Sequence, residues 1–107
     1  MTIIAEIVIP TDHPTFSGHF PGAPVVPGVV LLDETLHAIA RLSGVDVERC
    51  TLSAVIFRNV VRPGRAVTLH YDFVGAGGVR FELRSGATIV ASGSLKVAAA
   101  DATADAR

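Results

Sequence analysis

Residues 16–34 read FSGHFPGAPVVPGVVLLDE, one histidine inside a run of prolines and glycines, then an apolar segment that ends in two carboxylates. Pro21, Pro24 and Pro27 are spaced by three, which matches a polyproline II turn. Ligands for aromatic grooves share that spacing but lie in exposed polar segments, whereas this run leads straight into apolar sequence. A stiff loop with preset φ angles is the better reading, with Gly18, Gly22 and Gly28 available for bends or close approach. Such a loop can hold one imidazole in a fixed place, as a preorganised site requires.

From Gly28 to Ser43 the apolar residues Val29, Leu32, Leu36, Ile39 and Ala40 recur at helical spacing, and Gly44 ends the run. The spacing predicts one helix, apolar on most of its surface, which a curved antiparallel sheet must wrap in order to bury. Its start carries no capping side chain, because Val26, Pro27 and Gly28 offer no oxygen to the first N–H groups. Those donors need water, other backbone or a ligand, and the helix dipole suits them to a carbonyl oxygen that gains negative charge. A plain glycine cap is the simpler alternative.

At about 100° per residue, Asp33 shares a side of this helix with Val29, Leu36 and Ala40, while Glu34 falls beside Arg41. An acid on an apolar face is costly unless it is paired or used. Asp33 is therefore either a functional acid or a structural one bonded to a loop amide, and Glu34 is a surface acid. His19, next to Phe20, would alone be weak evidence, yet imidazole is the natural proton acceptor at neutral pH. A held imidazole, an acid and an uncapped helix end together suit proton abstraction next to a carbonyl.

Composition narrows the class. The chain has 107 residues, half of them hydrophobic and 18% charged, which fits one packed domain rather than disorder. So apolar a composition in so small a chain predicts that a further face is buried by association. The formal net charge of -1 gives no basic stripe for nucleic acid. A single cysteine, Cys50, excludes an internal disulfide and fits a reducing compartment. No basic leader and no membrane-length apolar run are present, so the cytoplasm is the expected location.

Outward from the helix, residues 2–9 read as a first strand stopped by Pro10, and 10–27 as a long ordered loop. Strands are expected at 51–61, 66–74, 79–85 and 88–97, joined by turns around Pro63-Gly64, Gly75–Gly78 and Ser85-Gly86. The expected architecture is α+β, a strand, loop and helix followed by an antiparallel meander wrapped around the helix. Residues 1–97 would form the domain, and 98–107, small and polar, a disordered tail.

The stretch from His19 to Val29, HFPGAPVVPGV, resembles the H-F-P-G-x-P-x-x-P-G-V signature of the 3-hydroxyacyl-acyl-carrier-protein dehydratases of the hot-dog fold. In that family a second catalytic acid follows the histidine by fourteen residues, which lands on Asp33. The carbonyl-polarising amide, nine residues after the histidine, lands on Gly28. The later FRNVVRPGRAVTL resembles the family's Phe-basic and Pro-Gly-Asp strand pair, with Arg65 where an acid is common. The acid is Asp, as in the branch that also isomerises its product, but the chain is shorter than that branch. Glu34 replaces a small residue and His37 a common glutamine.

The resemblance implies a homodimer or higher homo-oligomer whose sites take the histidine from one chain and the acid from the other. It implies lipid metabolism, and reversible dehydration of a 3-hydroxyacyl thioester, on acyl carrier protein or coenzyme A, with no cofactor. His19 and Asp33 would be catalytic, and Gly28, Phe20, Pro27 and Val29 would contact substrate. Arg58, Arg62 and Arg65 cluster around one turn and are either solvated or a docking patch for an acidic carrier or its phosphate. His13 and His70 read as surface residues, His37 as a polar contact near Glu34 and Arg41, and Cys50 as packing. The histidines lack a zinc spacing, so no metal is expected. A hot-dog thioesterase and a non-catalytic accessory subunit are the alternatives.

Overall fold

Residues 2–10 and 25–97 are described by the computed structural model. Ile- and Val-rich Ile3–Val8 forms β1, and the helix α1 runs Gly28–Ser43. A single 3-10 turn, Val47–Arg49, leads into β2 (Cys50–Phe57), followed by β3 (Ala66–Val74), β4 (Gly78–Ser85) and β5 (Thr88–Val97). The helix begins and ends where its spacing predicts. Gly44 closes it in the left-handed region at φ 73°, where its N–H donates to the Ala40 carbonyl at 2.8 Å.

All strand pairs are antiparallel, in the order β1-β3-β4-β5-β2. The expected meander is thus correct for β3, β4 and β5 and wrong for β2, which pairs with β5 at the far edge instead of beside β3. Alternation says which residues face inward but not which strands meet, and neighbours in sequence are only the default. The strand expected at 51–61 ends at Phe57, because the Arg58 and Asn59 N–H groups both turn to the Val90 carbonyl. Val61 then receives a backbone bond at its carbonyl from Val26, which ties the strand's exit to the residues before the helix.

Inward residues of the sheet, among them Leu69, Tyr71, Phe81, Leu83, Val90 and Leu95, form one core with Leu31, Ala38 and Ile39 of the helix. Thr35 is the buried polar residue of this core, and its hydroxyl donates to the Leu31 carbonyl at 2.8 Å, so its burial leaves no unpaired group. Where Phe81 crosses β5, Gly93 gives the ring its space: a Cβ there would lie 2.8 Å from the ring and 3.0 Å from Val55. Small on one strand and large on the next is how this sheet curves closely around the helix.

The long loop expected at 10–27 falls mostly outside the described residues, as does the tail expected at 98–107. No helix among the described residues is long and apolar enough to cross a membrane.

Candidate active site

Pro27 precedes α1 with extended φ and ψ and makes no side-chain cap. Its carbonyl accepts from the Val30 and Leu31 N–H groups at 3.0 and 3.2 Å, so the helix opens with a tight turn. For the N–H groups of Gly28 and Val29 no backbone acceptor is found among the described residues outside the helix. Over this end lies Phe57, the last residue of β2: a Cβ on Gly28 would meet three of its ring atoms at 3.1 to 3.2 Å. Phe57 is itself 46% exposed, and Gly28 beneath it is half-buried.

Asp33 stands one turn further along. The side it shares with Val29 is not the one that packs on the sheet: burial falls on Leu31, Thr35, Ala38 and Ile39, whereas Val29 is 72% exposed and Asp33 is exposed. Leu36, further along that side, is partly buried against the core, so it is the first turns of the helix, at Val29 and Asp33, that need other cover. Val29, Leu52, Ile56, Phe57 and Val60 are all exposed, and β2 is an edge strand with one side unpaired among the described residues.

His37, read as a polar contact near Glu34 and Arg41, places its Nδ1 3.4 Å from Asp33 Oδ2, with both side chains more than 60% exposed. The sequence offered the signal for this pair, an acid and a histidine four apart on one helix face. Ligand atoms of Asp33, Glu34 and His37 lie within 4.8 Å of one another. All three belong to one helical turn and the set is largely open to solvent, an ordinary arrangement for an ion pair that gives no reason to assign an ion.

The remaining expected site residues separate into three groups. Gly28, Pro27, Val29 and Asp33 come together on the first turns of α1. Arg62 and Arg65 share a shallow depression with Val60, Val61 and Ser85, while Arg58 lies with Phe57 and Asn59 in a neighbouring one that also includes Val60. All three arginines are exposed. His19 and Phe20 lie outside the described residues, and so does His13. His70 faces the outer side of the sheet beside Asp72, Arg80 and Glu82, away from the helix. Cys50 opens β2, half-buried against the core, as packing would have it.

One helix gripped by a five-stranded antiparallel sheet, with the helix N-terminus set beside an edge strand, defines the hot-dog class. Solved structures agree on the fold. The dehydratase heterocomplex ApeI:P from Xenorhabdus doucetiae matches with a TM-score of 0.71 at 21% identity over 89% of this chain and 85% of that one. The fluoroacetyl-CoA thioesterase FlK matches with a TM-score of 0.63 at 14% identity, over 99% and 91% of the two chains. Within that fold the sequence is more specific. The family model described as ApeI dehydratase matches residues 1–94, and the chain belongs to this ApeI-like family of hot-dog dehydratases. It is 32% identical over 107 residues to the 3-hydroxyacyl-[acyl-carrier-protein] dehydratase FabZ of Chlamydia trachomatis serovar L2, spanning 88% of this chain and 70% of that one. To the FabZ of Chlamydia abortus it is 33% identical, spanning 94% and 73%.

Proposed function

We propose that residues 1–97 act as one catalytic domain, paired with a second copy, and dehydrate a 3-hydroxyacyl thioester to the trans-2-enoyl thioester. The observation that carries this reading is the start of α1, where Val29 and Asp33 are exposed and Phe57 of edge strand β2 lies against Gly28. A second copy set against β2 would extend the sheet, cover Leu52 and Ile56, and bring its own loop to this chain's Asp33.

His19 of one copy takes the C2 proton of the substrate. That proton is made acidic when the Gly28 N–H, at the positive end of the helix dipole, polarises the thioester carbonyl. Asp33 of the other copy protonates the departing hydroxyl at C3, and water leaves. The C2 proton passes from His19 to solvent, Asp33 regains one, and no redox partner is needed. Phe20, Pro27 and Val29 would line the acyl chain. The carrier is acyl carrier protein or coenzyme A, with Arg58, Arg62 and Arg65 as the cations offered to its phosphate or acidic face. The substrate class is that of the FabZ relatives, which are 3-hydroxyacyl-[acyl-carrier-protein] dehydratases.

The test is subunit complementation. His19→Ala and Asp33→Ala should each be inactive, and mixing them should restore at most about one quarter of wild-type activity per chain. Random pairing makes half the dimers mixed, and each mixed dimer has one intact site of two. No recovery despite confirmed exchange would sink the shared site. Assaying enoyl product beside free thiol separates dehydration from thioester hydrolysis, the activity of FlK, and absence of both would leave an accessory subunit.

A further inference from the structure

An ordinary aspartic acid holds a proton in about one molecule in a thousand at pH 7. A group that must protonate a leaving hydroxyl at that pH needs help, and Asp33 has an imidazole one turn away, Nδ1 to Oδ2 3.4 Å. We propose that Asp33 and His37 hold one proton between them, with Asp33 touching the substrate and His37 acting as the positioning residue that keeps the proton there. This deepens the dehydratase reading and rests on it for the identity of the substrate.

The geometry favours such a unit. The two residues are four apart on a regular helix, so backbone rigidity fixes their separation. A small rotation of either exposed side chain brings the atoms to hydrogen-bond distance. Imidazole changes charge between pH 5 and 8, so a histidine beside a carboxylate can keep a proton available where an isolated acid cannot. With one proton present the pair exists as imidazolium and carboxylate or as imidazole and carboxylic acid, and the second form is the donor.

The step balances: the shared proton, on Asp33 in the donor form, goes to the hydroxyl oxygen as the C3–O bond breaks and leaves a carboxylate beside neutral imidazole. The neutral His37 then regains one from solvent, equal to the proton His19 released.

The charges around His37 fit this role. On its own helix it faces Asp33 and Glu34, whose ligand atoms lie within 4.8 Å of it and each other, and Arg41 follows one turn on. From the elements packed against α1 the charged residues are Glu6 on β1 and Glu48 and Arg49 in the 3-10 turn. Among the described residues none of these forms an ion pair with His37.

The test uses the full chain and two readouts. His37→Gln keeps a side-chain donor at similar reach but cannot carry the charge, and Glu34→Gln is the control for the neighbouring acid. In wild type, turnover should fall on the alkaline side as His37 loses its proton. In His37→Gln that limb should disappear while the acidic limb set by His19 stays. Turnover at pH 7 should drop roughly tenfold, less than the ~10²–10⁴-fold of losing the general acid itself, with KM unchanged. Independently of activity, the carboxyl ¹³C resonance of Asp33 should follow the imidazole titration in wild type and cease to in His37→Gln.

An Asp33 signal blind to that titration overturns the proposal, and so does a His37→Gln profile that superimposes on wild type. Coupled resonances in a wild-type protein that forms no enoyl product would keep the pair and overturn the dehydratase reading instead.

Discussion

A methyl group added at Gly28 would press on the Phe57 ring at 3.1 Å, and one added at Gly93 on the Phe81 ring at 2.8 Å. The outcomes should differ because the neighbours do. Phe57 is half-exposed and can swing aside, and alanine is the better helix former by up to about 1 kcal/mol. Gly28→Ala should therefore melt within a few degrees of wild type yet lose at least about tenfold in kcat/KM, since the displaced Phe57 ring would crowd the helix end at which the proposed mechanism docks the thioester carbonyl. Phe81 is buried and Val55 closes the other side, so Gly93→Ala should cost about 1–3 kcal/mol in urea unfolding. Ala54 reports the reverse situation. Its φ of 54° is costly for a residue with a Cβ, by about 1–2 kcal/mol, part of which glycine returns as chain entropy. Ala54→Gly should raise the melting temperature by a few degrees. The motif made Asp33 and Gly28 legible, but not the Asp33–His37 pair, because reading His37 as one more polar surface group ignored its i+4 relation.

Helix α1 was legible in its limits and not in its orientation. Gly44 and the unbroken apolar periodicity mark both ends, yet the helix is apolar on so much of its circumference that two stripes compete for the core. Leu31, Thr35, Ala38 and Ile39 win, and the stripe with Val29 and Asp33 is left outside. A wheel drawn from sequence weights both alike, and only the sheet decides. Strand β2 is the other informative element. It presents Leu52, Ile56 and Phe57 and carries no Lys, Arg, Asp or Glu, the residues that usually keep an edge strand from pairing. Leu52→Lys supplies one. The variant should keep its far-UV circular dichroism, sediment as a monomer, and lose dehydration. An active monomer would remove the cross-subunit mechanism.

At the scale of the molecule, five strands and one helix were all expected and the α+β class follows from their order. The sheet's neighbours were not, because β2 reaches its place only after β3, β4 and β5 have been laid down. That order has a consequence for how the chain comes into being. During synthesis β2 leaves the ribosome some thirty residues ahead of β5, its partner among the described residues, and β1 waits still longer for β3. Until Thr88–Val97 emerges, the apolar edge strand β2 lacks the strand it pairs with. Pairings this distant along the chain make folding slow and leave unpaired strands exposed. The surface that we propose joins two copies is thus the one a nascent chain must keep from strangers.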